Sequence, residues 1–568
     1  MRRRAQWLFV LLLALSCRRG VAEVPPADIT LSIVSTNDIH GRLTQLPLLG
    51  GYLRNLRAAR AKDGGAVLLL DAGDIFQGTL ESNSTEGASM IRGFRALRYD
   101  AAALGNHEFD FGPVGPHPIP WTDSEDPLGA LKARVSEATF PVLCSNLQRS
   151  DGTPLPIPKL RTSVLLRVDG VAVGIVGGLT KDTLTATHAA NTRGLRLLPL
   201  SAAVAREAQV LRKAGARVVI ALVHAGDECR KFDDPDNLSS CDPKGEAFEL
   251  ARALPAGAVD LIVAGHTHAG VAHRVNGIPI IEAFSNGRAF GRIDLRIPHA
   301  AAQRLTARIY APQRLCEDAL DQAPCTHEVY EAAPVARDPA VLAAIQADVE
   351  RAKAERDRPL GVSVTDLVAR ASAVESAGNN LVADLILRGA PGADAAFSNA
   401  GAVRISLPVG PLTYGTVFEM FPFDNAFATL HISAREFAGV IANNLGDDHG
   451  ILSIAGVRAD ARCVQGELVV DMLDRSGQRI APERVLTVVT SDFLTSQGDG
   501  ILGGLRLGAD NLSVQQEHLV RDAILDGLRN YPGGHIDGSD KRLYDPTQPR
   551  IRYTGARPLH CNKAALKP

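Results

Sequence analysis

Val218-Val219-Ile220-Ala221-Leu222-Val223 is six apolar residues without a polar interruption, and the run stops at His224-Ala225-Gly226. A strand with one face in water alternates apolar and polar residues, so a continuous β-rich run describes a strand covered on both faces. Val67-Leu68-Leu69-Leu70 and Leu261-Ile262-Val263-Ala264 have the same character, and helix-like stretches such as Ala202 to Ala214 lie between such runs. From Ile29 to about Ile297 the pattern predicts an α/β layered core, with insertions at Pro113 to Pro127 and Cys229 to Lys244 that break strict alternation.

Beyond this region the chain changes. Asp338-Pro339 is a cap followed by a first-turn proline, and Val341 to Arg356 is rich in Ala, Glu, Lys and Arg. That composition predicts a mostly solvated helix linking two domains. After Gly361 a second α/β region runs to about Gly555, with Val485-Leu486-Thr487-Val488-Val489-Thr490 as its clearest strand. The 568 residues are 45% hydrophobic and 22% charged, which is enough apolar material for large cores. Lys and Arg (61) nearly cancel Asp and Glu (63), and the net charge of -2 argues against a protein that coats a nucleic-acid polymer.

At the start, Arg2-Arg3-Arg4 precedes an apolar stretch from Trp7 to Leu15. That stretch is shorter than the ~20 residues a bilayer span needs, so residues 1–22 are expected to be an export signal. Two processing routes fit. Leu13-Ala14-Leu15-Ser16-Cys17 resembles a lipobox that would leave Cys17 lipidated, and Gly20-Val21-Ala22 offers small residues for ordinary cleavage. Arg18 and Arg19 sit awkwardly inside a cleavage region and favour the first route. The expected location is periplasmic, or at the cell surface through a lipid anchor, with no transmembrane span. Eight cysteines agree with an oxidising compartment. Cys229/Cys241 and Cys316/Cys325 bracket short loops that disulfides would close, Cys463/Cys561 would pair across the last domain, and Cys144 reads as a buried strand thiol. There is no C-x-x-C pair to suggest a cysteine zinc site.

Five polar clusters sit just past the apolar runs of the first region. They are Thr36-Asn37-Asp38-Ile39-His40-Gly41, Asp71-Ala72-Gly73-Asp74, Gly105-Asn106-His107-Glu108-Phe109-Asp110, Val223-His224-Ala225-Gly226 and Gly265-His266-Thr267-His268. The carboxyl ends of strands in an open α/β sheet are where ligand sites are built, so the clusters can converge on one crevice. Asp, His and Asn together offer the mixed oxygen and nitrogen ligands that suit Zn, Mn, Co or Fe. Asp38/His40 and His266/His268 are each two apart, which in extended backbone turns both side chains to one side. Gly-x-Ser-x-Gly and a P-loop Gly-Lys-Ser/Thr are both absent, so neither a serine nucleophile nor a Walker phosphate loop is indicated.

The set D-x-H, G-D, G-N-H-E, H and G-H-x-H resembles the calcineurin-like metallophosphoesterases. More narrowly, Thr36 to Gly41 and Gly105 to Asp110 resemble the 5'-nucleotidase/UDP-sugar hydrolase family. The resemblance implies a layered β-sandwich metallophosphoesterase domain over 28–331, a helical linker over 332–360 and a smaller α/β substrate-binding domain over 361–560. It also implies two divalent ions, Zn, Mn or Co, with Asp38, His40 and His268 on one, Asn106, His224 and His266 on the other, and Asp74 bridging. His107 would face the substrate phosphate, oriented by Asp110. In the second domain Asn399-Ala400-Gly401-Ala402-Val403-Arg404, Pro422-Phe423-Asp424-Asn425 and Phe493 with Gly498-Asp499-Gly500 resemble the family's substrate segments. By that resemblance Arg404 reaches the phosphate, Phe423 and Phe493 sandwich the base, Asn399 and Asn425 help to bind the nucleotide and Asp499 takes the ribose hydroxyls.

Three departures bear on the substrate. Asn379 stands where the family's N-x-G-[NR]-L segment has Gly, Arg370 is only a candidate for the upstream phosphate-binding Arg, and Gln497 replaces a Gly. The implied activity is hydrolysis of nucleoside 5'-monophosphates and UDP-sugars. The same scaffold also resembles 2',3'-cyclic nucleotide phosphodiesterase/3'-nucleotidases and thiosulfohydrolases. A non-catalytic surface-binding protein would have no need of seven ligands plus His107.

Overall fold

The computed structural model describes residues 28–115, 117–299, 304–316, 328–496 and 500–561. The export segment with Cys17, the Cys325 half of one expected disulfide, and Asp499 lie outside the described residues.

The continuous apolar runs have the cause expected of them. In the first domain a seven-stranded sheet runs in the order Thr306–Arg314, Ala289–Ile297, Ile29–Thr36, Ala66–Asp71, Ala101–Ala103, Val142–Leu143, Leu160–Arg161. A six-stranded sheet runs Gly270–Val275, Ile278–Ala283, Leu261–Val263, Val218–His224, Val171–Leu179, Ser163–Val168. The two pack face to face. Leu68, Leu70, Ile220 and Leu222 share one core between the sheets, together with Leu31, Ile33, Ile175 and Val263. The intervening residues point the other way: Leu69 packs under helices Leu46–Asp63 and Ala88–Leu97, and Val219, Ala221 and Val223 pack under Leu200–Lys213 and Glu246–Ala253. Both faces of Ala66–Asp71, Val218–His224 and Leu261–Val263 are thus dry, and polar residues are excluded from them until the strand ends.

Parallel pairing aims those ends together. Ile29–Thr36, Ala66–Asp71 and Ala101–Ala103 are parallel neighbours in one sheet, and Val171–Leu179, Val218–His224 and Leu261–Val263 in the other. The five polar clusters therefore emerge at one edge of a sandwich of two sheets, the layered β-sandwich that the family resemblance implied.

Helix Pro339–Arg356 is capped by Asp338, whose side chain accepts from the backbone N–H groups of Ala340 and Val341. Most of its surface is solvated, as expected, yet Val341, Ile345, Asp348 and Ala352 form a buried stripe against the first domain. Arg92 reaches the buried Asp348 with two hydrogen bonds of 2.9 and 2.6 Å. At the far end Arg356 bonds Glu81 at 2.7 Å, and Leu80, Ala352 and Phe418 pack together, joining both domains to the helix.

The second domain is built on a five-stranded mixed sheet ordered Ser453–Ala455, Ala395–Ser398, Val485–Ser491, Ala426–Ser433, Leu512–Leu519. Ala395–Ser398 and Val485–Ser491 are parallel, and Ala426–Ser433 is antiparallel to the latter. The end of Ala395–Ser398, the end of Val485–Ser491 and the start of Ala426–Ser433 therefore share one edge, which carries Asn399, Phe493 and Phe423. Disulfides join Cys229 to Cys241 and Cys463 to Cys561, and Cys144 is a buried free thiol, pushed up to about 12 by burial.

The linker stripe predicts a sharp contrast. Ile345→Ala should cost about 2–5 kcal/mol in urea denaturation, because it opens a cavity in the first-domain core. Leu342→Ala, at a position 44% exposed, should fall within about 0.5 kcal/mol of the parent. Equal effects at the two positions would mean that the helix is not docked by this stripe.

Candidate active site

Each polar cluster begins where a strand ends, and the chain there turns sharply inward. Asp38, His40, Asp74, His266 and His268 all have positive φ, at 50°, 50°, 58°, 88° and 59°. Non-glycine residues in this region cost of order 1–3 kcal/mol each and persist only where their surroundings fix them. Cross-loop backbone bonds do that here, from Asp38 N–H to Gly73, His40 N–H to Asp74 and Gly41 N–H to Ile75 at 2.9–3.0 Å. The two-residue spacing thus does not work through extended backbone, as the sequence suggested. Left-handed turns aim the side chains, and the second pair separates. Asp38, His40, Asp74 and His268 form one group of potential ligands, and Asp74, His224 and His266 form another.

Asp74 belongs to both groups. Its Oδ2 lies 3.2 Å from Nε2 of His224 and 3.9 Å from Nε2 of His40. The Asn106 amide donates to the Ala186 carbonyl at 2.9 Å, which turns its Oδ1 towards His224 and His266, 3.1 Å from a ring nitrogen of each. His40 and His224 hold their Nδ1 against the carbonyls of Gln77 and Ala72 at 2.9 and 2.8 Å. That arrangement leaves each Nε2 lone pair facing the centre, as metal-binding histidines require.

Two features test whether cations fit. Asp38 Oδ2 accepts from the Asn37 amide and the His266 N–H at 2.7 and 2.9 Å, but its Oδ1 is buried with no hydrogen-bond partner. Nε2 of His40 and Nε2 of His268 face each other at 2.9 Å. An orphaned carboxylate oxygen and converging ring nitrogens are a donor set arranged for divalent ions. Burial pushes the Asp38 carboxyl up to about 7, while His224 and its neighbours overcome burial at Asp74 and hold that carboxyl well below the usual range.

Glu108 supports this arrangement and was quoted in the sequence without being assigned a role. Its carboxylate accepts from the N–H groups of Asp74, Ile75, Phe76 and Gly105 at 2.9, 2.7, 3.2 and 2.5 Å. Gly105 can carry no side chain, since a Cβ would lie 2.1 Å from Asp74 Oδ1.

Beside the group, His107 Nδ1 meets Asp110 Oδ2 at 2.6 Å, and Asp110 Oδ1 accepts from the Thr187 hydroxyl at 2.8 Å. Burial would pull the His107 imidazolium down, but Asp110 and then Asp74 outweigh it and raise the ring to about 9. No motif marks Thr187. It arrives on the segment 182–188, which the sequence reading passed over.

A cleft of about 750 Å³ opens from this centre and runs between the domains. Asp74, Asn106, His107, Asp110, His266 and His268 line one wall; Asn399, Arg404, Phe423, Asn425 and Phe493 line the other. Phe423 and Phe493 are only partly buried, so neither is an ordinary core aromatic. The Arg404 guanidinium lies over the Phe423 ring, 4.9 Å from its centroid. Gly500 reaches the cleft beside the undescribed Asp499. Arg370 is not among the lining residues, and its guanidinium bonds the Ser372 hydroxyl at 2.8 Å. Asn379 is buried at the start of helix Ala377–Gly389, where Ser376 caps its N–H.

The Glu108 clamp is testable by an isosteric change. Glu108→Gln turns an amide N–H towards N–H groups and should weaken metal affinity about 10–100-fold, the usual scale for groups supporting ligands, as read by metal titration. Unchanged affinity would restrict Glu108 to a role in folding.

Two family models match the chain: calcineurin-like phosphoesterase over residues 31–270, and 5'-nucleotidase, C-terminal domain over residues 352–503. Protein UshA of Yersinia enterocolitica is 26% identical, over 89% of this chain and 94% of the relative. A 5'-nucleotidase of Vibrio cholerae is 25% identical, over 92% and 96%. Among solved structures, the 5'-nucleotidase precursor of Thermus thermophilus matches with a TM-score of 0.68 at 23% identity, over 92% of this chain and 99% of that one.

Proposed function

We propose that this chain, which belongs to the calcineurin-like phosphoesterases with a 5'-nucleotidase C-terminal domain, carries out metal-dependent hydrolysis of nucleotide phosphoesters. The observation that carries the reading is the shared cleft. Metal-directed side chains on one wall face a cation and two accessible aromatic rings on the other. A site for an arbitrary small phosphoester would have no use for the distant aromatic pair.

In this reading Asp38, His40 and His268 hold one ion, Asn106, His224 and His266 hold the second, and Asp74 serves both. When bound, two divalent ions supply Lewis acidity that activates water and neutralises phosphoryl oxygens. The remaining work belongs to the chain. With Nδ1 committed to Asp110, His107 offers its other ring nitrogen to the substrate. A protonated ring there stabilises developing charge and delivers a proton to the leaving oxygen. Thr187 keeps Asp110 pointed at the ring. Arg404 binds the phosphate and Phe423 and Phe493 take the base between their faces, with Asn399 and Asn425 as polar contacts and Asp499 on the ribose. Nucleoside 5'-monophosphates are the first substrates to expect, then UDP-sugars. The aromatic pair favours these over a thiosulfohydrolase reaction.

The reading also places the protein outside the cytoplasm. Disulfides such as Cys229–Cys241 and Cys463–Cys561 and the apolar stretch after Arg2-Arg3-Arg4 support export, and Cys17 is the proposed point of lipid attachment. Among the described residues no helix is long and apolar enough to cross a membrane.

The direct test is phosphate release from AMP, UDP-glucose, 3'-AMP and 2',3'-cyclic AMP, with and without chelator. AMP or UDP-glucose should be preferred, and activity should vanish on chelation and return with Mn, Co or Zn. Full activity after metal removal would defeat the reading. His107→Ala should lower kcat by about 10²–10⁴ while metal content, read by elemental analysis, stays at the parental level. Loss of metal from that variant would make His107 a ligand.

A further inference from the structure

The second-domain wall contains one polar group that the family motifs do not cover. His449 lines the cleft together with Asn399, Gly401, Phe423 and Phe493. It stands in the loop that follows helix Ala434–Leu445, far in sequence from the substrate segments.

The loop is braced from several sides. The Asn444 side chain donates to the Gly450 carbonyl and accepts from the Leu452 N–H, both at 2.9 Å. One Arg557 nitrogen donates to the carbonyls of Asn444, Asp447 and His449. Ile451 N–H donates to the Ser372 carbonyl at 2.8 Å, and a Cβ on Gly450 would lie 2.6 Å from the Ala400 Cβ. His449 is thereby fixed beside the segment Asn399 to Gly401. Asp447 also sets the ring: its Oδ1 takes the His449 backbone N–H at 2.8 Å and lies 2.5 Å from Nδ1. With the Nδ1 proton committed to the carboxylate, Nε2 carries the lone pair and has no hydrogen-bond partner among the described residues.

We propose that His449 is a specificity-determining residue, whose Nε2 accepts a hydrogen bond from a donor on the nucleoside. The proposal rests on the nucleotide reading of the cleft. Two nucleoside groups supply that chemistry, an exocyclic amine of the base and a ribose hydroxyl. Phosphate and a bare aryl ring supply neither, so His449 contributes to recognition of the nucleoside and not to the chemical step.

The experiment compares His449→Ala and His449→Gln with the parent on AMP, IMP, 2'-deoxy-AMP and phenyl phosphate, with Phe423→Ala alongside. A single neutral hydrogen bond predicts that His449→Ala lowers the ratio of kcat/KM for AMP to that for phenyl phosphate about 2–10-fold. The Gln amide oxygen restores part of it. A base amine as donor makes the loss larger on AMP than on IMP. A ribose 2'-hydroxyl makes it equal on those two and smaller on 2'-deoxy-AMP, and a 3'-hydroxyl makes it equal on all three nucleotides while phenyl phosphate is unaffected. An unchanged ratio in His449→Ala, with Phe423→Ala reduced on AMP, overturns the His449 proposal and leaves the nucleotide reading standing. If the parent shows no preference for AMP over phenyl phosphate and Phe423→Ala does not alter that, the nucleotide reading falls and the proposal with it. Equal loss on all four substrates with a lowered Tm assigns His449 to loop stability and also overturns it.

Discussion

The carboxylate of Glu108 takes four backbone N–H groups from two strand-end loops, and the rest of the centre depends on that contact. Asp74 is the carboxylate shared by the two ligand groups, and its backbone lies in the left-handed region. That conformation would relax if the loop were free. Hydrogen bonds to a charged acceptor contribute about 1.5–3 kcal/mol each, which is enough for several of them to offset a strained turn. Asp38 and His40 are held in turn, because their N–H groups bond the carbonyls of Gly73 and Asp74. Fixing one loop fixes the next. The strain sits on ligands because a strand that continued straight would carry its side chains past the centre.

The layers of the fold were legible in the sequence for a simple reason. Strands dry on both faces cannot conceal themselves, and Val67 to Leu70 and Val218 to Val223 could be read directly. Their assignment to two sheets came from the family resemblance and not from the periodicity, because pairing partners are chosen by contacts distant in sequence: Ile29–Thr36 pairs with Ala289–Ile297, and nothing local announces it. The seven candidate ligand positions could be picked out as a set because five clusters at strand ends in one chain are hard to explain otherwise, and the fold brings them to one edge. How they are aimed was not legible. Positive φ at His266 or His268 could not be read locally, since histidine, although enriched among non-glycine residues of this conformation, adopts it in only a small minority of cases.

In the second domain the legible residues share a structural position. Asn399 and Arg404 follow one strand of the central sheet, Phe493 follows another, and Phe423 and Asn425 precede a third. Phe421 and Phe423 show why residue type alone is a poor guide. The first is 1% exposed and packs in the core, while the second, two residues on, is partly buried and lines the cleft. Thr187 and His449 were invisible for a different reason. Each lies on an irregular segment brought to the cleft by packing that only the folded chain reveals, through the Asp110 carboxylate for one and the Ala400 contact for the other.

The division of labour between the walls has a physical basis. The metal-directed wall grows out of a sandwich whose central strands are buried at the ends that carry the candidate ligands, and it cannot change without disturbing strained turns and the Glu108 clamp. The opposite wall is attached more loosely. It meets the first domain through the Leu80, Ala352 and Phe418 cluster, the Arg356 to Glu81 pair and, near the cleft itself, a Gln77 amide donating to the Pro422 carbonyl at 3.2 Å and His188 facing Asp492 at 3.9 Å. Those last contacts adjoin Phe423 and Phe493, so the docking of the domains also sets the gap into which a base would fit. Chemistry is therefore fixed by the interior of one domain. In the proposed reading recognition is set by the spacing between two, and substitutions on the second wall should alter what is bound without touching what is done to it.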